Sequence, residues 1–303
     1  MTGVDENGLG PRLGPLVATA ATIGVEAYEA EAMEAAGRAL GVADSKDTTA
    51  FGKMSRAESL VLAWCEREGD ESGWSVDRLL DSLVLGGLAR LRAPCPEGGS
   101  FAQCWSHDIG LPAFGGSADE GRRMLEGLTR FGVELKHVRS VVGCAGQLNA
   151  AFDTGLNKLD LDLQYFEMLL LEARGQVQRP LHAICGMVGG IRKYGPRFAK
   201  ELGPFEVLGE ERGLSAYRVE RVGDIRFEVK ADARHLPVAL ASMFGKYLRE
   251  VWMLRLNRFY QEALPGLRSC SGYHDSVTRG FVDATSPIRR RLGVVSECFE
   301  RRR

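Results

Sequence analysis

GVDENGLGPRLGPLVATA, residues 3 to 20, decides how the rest of this chain is read. Val4 near its start and the run Leu16-Val17-Ala18 near its end have the apolar character of two strands. Between them, Gly8, Gly10 and Gly14 with Pro11 and Pro15 predict a bend, because these residues admit unusual backbone angles with little bulk. Asp5 and Glu6 close the first strand. Neighbouring side chains of a strand face opposite sides, so one core cannot bury both. The one that points inward is an unpaired charge costing several kcal/mol, and a bound divalent cation is the simplest compensation. A solvated turn is the ordinary reading of an isolated Asp-Glu pair. The glycines and the apolar strand that follow weigh against it here. A dinucleotide-binding loop fits poorly, since the spacing is G-x-G-x-x-x-G and a strand, not a helix, comes next.

Working outward, 303 residues suffice for one large or two modest domains with a real apolar core. A net charge of −1 excludes a broadly cationic protein while leaving room for a local basic groove. Arginine clusters late, at Arg289-Arg290-Arg291 and Arg301-Arg302-Arg303, where a solvated tail is the commoner outcome. No apolar run reaches transmembrane length and no signal peptide opens the chain, so no membrane partner and a cytoplasmic location are expected. Seven cysteines without C-x-x-C spacing read as reduced thiols. Cys104 and His107 lack the second pair that a zinc site needs.

Periodicity predicts helices over Glu26–Leu40, Arg56–Arg67, Leu79–Leu91 and Lys158–Arg174, with Asp44-Ser45-Lys46 as a polar elbow. Strands are predicted at Val133–Val142, Leu181–Cys185, Ala216–Val222 and Ile225–Val229. A long helix starts at Pro237 and runs through Trp252, and another spans Asp275–Val282. Repeated prolines and glycines mark residues 70 to 130 as an insertion carrying a loop around Cys104-Trp105, not a separate domain. The expectation is a single α/β domain over residues 1 to 303, with a helical C-terminal extension from about residue 255. Asp5, Cys185 and Asp232 each stand at or just past the end of a short apolar run, where active sites of open α/β sheets gather.

At this point the chain resembles the type 2 ribonucleases H, which cut RNA strands in RNA–DNA hybrids. VDENGLGP (residues 4 to 11) resembles the family's opening D-E-x-G-R-G-P, and Asp44-Ser45-Lys46 its D-S-K. Residues 153 to 157 resemble an I-D-x-x-N segment. KADARHLPVALASMFGKYLRE, residues 230 to 250, resembles a K-x-D motif followed by A-A-S-I-x-A-K-x-x-R-D. Gly272-Tyr273 resembles the family's G-Y, and SPIRRR (residues 286 to 291) its S-P-x-H-R-R. The matches fall in family order across nearly the whole chain, with residues 70 to 130 and 190 to 225 as extra length.

The resemblance implies a ribonuclease H-like mixed sheet flanked by helices. It also implies Asp5, Glu6 and Asp232 as ligands of Mg²⁺ or Mn²⁺, hard cations that take oxygen donors. Lys46, Lys246 and Arg249 would then face phosphates, Gly8 and Gly10 would offer backbone to the ribose 2′-hydroxyl, and Tyr273 would stack near the RNA–DNA junction. Asn157 joins this substrate-binding set. From the residues alone, Asp232 could cap the helix beginning near Pro237, although the spacing is long for that, Lys246 and Arg249 could be a solvated helix face, and Tyr273 a core aromatic.

Two positions depart from the family pattern. Its third catalytic aspartate, at the end of a short strand, is matched by Cys185, a buried thiol and a poor Mg²⁺ ligand. Asp224, Glu206 or Glu228 are the acidic residues considered as able to approach that gap. Leu9 stands where the family has arginine, so that charge is lost. The expected protein is a monomeric two-metal endonuclease of weakened activity, acting on RNA–DNA hybrid or ribonucleotide-containing duplex. The alternatives are a catalytically degenerate relative that binds such nucleic acid without cutting, and a nuclease using a different metal through the Cys185 thiolate.

Overall fold

Alternation along the opening strand sorts the protein into two cores. The computed structural model describes residues 1–25, 29–41, 53–69, 73–95 and 102–302. In it, β1 (Thr2–Asn7) pairs antiparallel with β2 (Leu16–Val25), which pairs antiparallel with β3 (Val133–Gly143). On its other side β1 pairs in parallel with β4 (Leu181–Gly186). Then β7 (Gly223–Glu228) pairs in parallel with β4. Strands β5 (Phe205–Glu211) and β6 (Leu214–Val219) continue from β7 as an antiparallel meander. The order is β3-β2-β1-β4-β7-β6-β5, a mixed sheet.

The expected strands are all present, but residues 190 to 225 also supply β5, which the sequence did not reveal. Its residues are almost all exposed, so no core-facing alternation marks it.

Among the described residues, the helices in chain order are α1 (Ala30–Ala39), α2 (Ser55–Glu68), α3 (Val76–Leu83), α4 (Gly87–Arg92), α5 (Ala102–Trp105) and α6 (Ala118–Arg130). They continue with α7 (Ala145–Asp153), α8 (Lys158–Val177), α9 (Leu236–Ala263), α10 (Ser276–Arg291) and α11 (Ser296–Phe299). The single helix expected over Leu79–Leu91 is two, because Gly86 and Gly87 adopt left-handed angles (φ 78° and 60°) and break it. The helix expected to stop at Val282 runs on to Arg291, since Ile288 extends the apolar stripe of Phe281 and Val282 into the same cluster.

One core lies between the sheet and α9, with α2, α3 and β3 contributing; the other lies between the sheet and α8. Val4 belongs to the α8 side, with Phe166 and Cys185. Gly3 belongs to the α9 side, where an added Cβ would sit 2.1 Å from the Pro237 carbonyl carbon. Gly245 plays the reciprocal role, its missing Cβ leaving room for Asn7. These two glycines let α9 lie directly on β1, which sets the position of every α9 side chain near the strand's end.

The stretch from 70 to 130 is packed into the first core. Trp105 meets Trp252 edge-to-face at 5.5 Å, and the buried Arg255 donates to the Cys104 carbonyl. The buried Glu58 carboxylate accepts backbone N–H bonds from Ala113, Phe114 and Gly116 and the Tyr247 hydroxyl. Among the described residues no helix is long and apolar enough to cross a membrane.

Candidate active site at the ends of the parallel strands

Strand parity places Asp5 on the α9 side, with Gly3, and Glu6 on the α8 side, with Val4. At the strand's end both carboxylates lean toward β4. A Cβ on Gly186 would lie 2.8 Å from Asp5 Oδ1 and 3.4 Å from Glu6 Oε2. The last residue of β4 must therefore be nearly free of bulk, and it is. Burial pushes the Asp5 carboxyl up to about 7, helped by the charge of Asp232, while Ser242 and Lys246 pull it down. Burial also raises Glu6 well above the usual carboxylate range, with Asp162 and then Asp5 as the largest repelling charges.

Asp232 comes from the 3-10 turn Ala231–Ala233 that follows β7, entered through Lys230 in a left-handed conformation (φ 56°). It is partly exposed, and its charge reaches both Asp5 and Glu6. It does not cap α9; the residue at that position is His235, whose side chain makes no cap. Ser242 and Lys246, one turn apart on α9, face Asp5. The Ser242 hydroxyl is buried and meets no full hydrogen-bond geometry, yet lies near enough to Asp5 to favour its charged form.

A fourth acid in this cluster was not singled out from the sequence. Asp162, on α8, is 0 % exposed, and neither carboxylate oxygen has a hydrogen-bond partner. Burial raises its carboxyl, with Asp5 the charge that adds to the effect. A signal existed: Asp162 sits three residues after Leu159 and four before Phe166, inside the apolar stripe of α8. Asp160, two residues earlier, turns outward to Arg197.

Cys185 faces the α8 side with Val4 and is fully buried. Burial, then the charge of Asp5, pushes its thiol far up. None of the acids considered for its gap is free to fill it. Asp224 pairs with Arg218 opposite His182, at the far end of β4. Glu206 lies exposed on β5, and Glu228 is bound to His235 and Arg234. Among the described residues, no three Asp, Glu, His or Cys side chains stand close enough to hold a metal ion as they are placed. Like charges crowded in a buried recess hold one another apart, and a divalent cation is the species that would draw them together.

The opening bend forms a second part of the site. Gly8, buried at φ 90°, leaves space that the Arg249 side chain fills. Arg249 is 3 % exposed, so it is not part of a solvated face. It bonds Glu250 and the Ser271 carbonyl, and its guanidinium lies 4.8 Å from the centre of the exposed Tyr273 ring. Tyr273 is therefore not a core aromatic. Backbone N–H groups of Arg12 and Leu13 bond the Gly272 carbonyl, stapling the bend to the Gly272-Tyr273 turn. Gly10 is exposed beside them.

Arg301 corrects the reading of the basic tail as solvated. It is 5 % exposed, and its guanidinium donates to the carbonyls of Gly8 and Gly14 from the opposite end of the sequence. A cation stands at the bend despite Leu9. Arg301→Leu would strand both carbonyls and is expected to cost about 1–2 kcal/mol in denaturant unfolding.

Lys46 and the elbow around it lie outside the described residues. Asn157 is exposed and caps α8, its side-chain oxygen accepting from the N–H groups of Leu159 and Asp160. Asn157→Ala is expected to lower stability by about 1 kcal/mol, read as a melting shift.

No family model matches the chain, and no curated protein does. Solved structures do. A Bst ribonuclease HIII in complex with Mn²⁺ matches at TM-score 0.51 and 15 % identity, over 99 % of this chain and 65 % of that one. The fold is that of a type 2 ribonuclease H. A ribonuclease HII of Archaeoglobus fulgidus, solved with PCNA, matches at TM-score 0.48 and 17 % identity over 100 % of this chain and 93 % of that one. A ribonuclease H2 of Pyrococcus horikoshii matches at 0.49 and 15 %, over 98 % and 90 %. At such identities the ribonuclease H likeness establishes architecture and leaves the chemistry to the site.

Proposed function

We propose that the protein is a metal-dependent endonuclease that hydrolyses the RNA strand of RNA–DNA hybrids or cuts at embedded ribonucleotides. The observation that carries this reading is the meeting of Asp5 and Glu6 over Gly186, within reach of the Asp232 charge, at the carboxyl ends of parallel strands. The buried, unpartnered carboxylate of Asp162 marks the recess as short of positive charge, and all-oxygen donors suit Mg²⁺ or Mn²⁺. Asp5, Glu6 and Asp232 would hold the metal. When bound, such ions activate water and stabilise the leaving oxygen of a phosphodiester.

The chain's own groups supply the positioning. Lys246, whose charge reaches Asp5, would meet a phosphate oxygen approaching the carboxylates. Arg249 steadies Tyr273, whose exposed face is available to stack on a sugar or base, and Gly8 and Gly10 belong to the bend that Arg12 and Leu13 tie to the Gly272 turn. Cys185 favours a second reading, a protein that binds the hybrid without cutting it.

The test is a duplex with one embedded ribonucleotide, incubated with Mg²⁺ or Mn²⁺ and with EDTA. Metal-dependent cleavage that Asp232→Asn reduces by at least about a hundredfold supports the endonuclease. Tight, salt-sensitive binding with no cleavage in either metal supports the binder.

A further inference from the structure

Cys185 and the unpartnered carboxylate of Asp162 each lie within reach of the Asp5 charge. Cys185 is directed to the α8 side of the sheet, packed in the cluster that contains Leu161, Leu163 and Phe166. Asp162 projects from α8 into that side, within the apolar stripe, and lies close enough to Glu6 to be its strongest repelling charge. A strand residue that lost its carboxylate thus faces a helix that carries one. We propose that Asp162, reaching in from α8, supplies the metal-binding carboxylate that Cys185 no longer offers from β4. This rests on the reading of Asp5, Glu6 and Asp232 as metal ligands.

Ordinary structural roles do not account for Asp162. Among the described residues it pairs with no cation and caps no helix, and both its oxygens are buried and unbonded. A cation shared with Glu6 and Asp5 satisfies both oxygens and removes the mutual repulsion. The site would then keep its full count of acids, one of them moved from strand to helix, and the weakening expected from Cys185 would not follow.

Mn²⁺ titration followed by calorimetry or by electron paramagnetic resonance of the free ion reads this without any turnover. Asp162→Asn is expected to weaken Mn²⁺ binding at least about tenfold. Asp283→Asn, an exposed charge on α10, should leave it unchanged. Adding Cys185→Asp to Asp162→Asn should restore affinity to within about threefold of wild type, because either position then serves the same ion. Cys185→Asp alone, which leaves Asp162 in place, should change affinity less than about threefold.

A tenfold or greater gain from Cys185→Asp alone would show a true vacancy and overturn the proposal. So would unchanged affinity in Asp162→Asn beside lost affinity in Asp5→Asn, an outcome that leaves the nuclease site standing. Unchanged affinity in Asp5→Asn as well would remove both.

Discussion

Asp5→Asn is expected to lower metal-dependent cleavage of an RNA–DNA hybrid by at least about a thousandfold, several kcal/mol of transition-state stabilisation. Asp5 stands where every other acid of the recess converges: over Gly186 with Glu6, beside Asp232, and near Asp162. The amide keeps the shape and removes the charge. A second, opposite effect separates this from simple damage. In EDTA the variant should melt higher than wild type, because one of several mutually repelling carboxylates is gone. Activity lost together with stability would point to misfolding, and activity retained would place the chemistry elsewhere.

The metal-free protein should lose on the order of 3 kcal/mol of stability between about pH 4 and pH 8, and regain it on adding Mn²⁺. Asp5 is raised to about 7 in the fold, and Glu6 and Asp162 are raised with it. A raised carboxyl keeps its proton in the native state after the unfolded chain has released its own. The contribution is complete below the unfolded value near 4 and is lost as pH rises through the folded one. Asp224, Asp153 and Asp275 are lowered and act oppositely, but they are surface groups and matter only toward acid. Denaturant melts in EDTA from pH 5 to 8 measure the slope, and Asp5→Asn should flatten it. A slope unaffected by that substitution would mean the cluster does not carry the charge strain described here. A cation at pH 8 replaces the missing protons, so Mn²⁺ should stabilise most where the free protein is weakest.

Much of this arrangement was legible in residues 3 to 20. Apolar strands flanking a Gly-Pro bend placed β1 and β2, and parity along β1 sent Asp5 and Glu6 to opposite sides. The start of α9 near Pro237 and the position of Cys185 near the end of β4 could be read from apolar runs, while the last turns of α9, out to Ala263, could not be. Relations carried by three-dimensional packing could not. Arg301 reads as one more tail arginine until the chain's end is laid against the opening bend. Tyr273 and Arg249 declare their contact only when the Gly272 turn is stapled to Arg12 and Leu13. Asp162 was legible in principle, as a charge inside an apolar stripe. Alternating Leu and Asp over residues 159 to 163 obscured which acid faces inward. β5 had no such signal, being exposed on nearly every residue.

The most direct test is anomalous scattering from crystals grown or soaked with Mn²⁺. A peak is expected within about 2.0–2.5 Å of oxygens from Asp5, Glu6 and Asp232, at the carboxyl end of β1 and β4. Well-ordered crystals at saturating Mn²⁺ with those three carboxylates uncoordinated, or with the ion bound elsewhere, would contradict it.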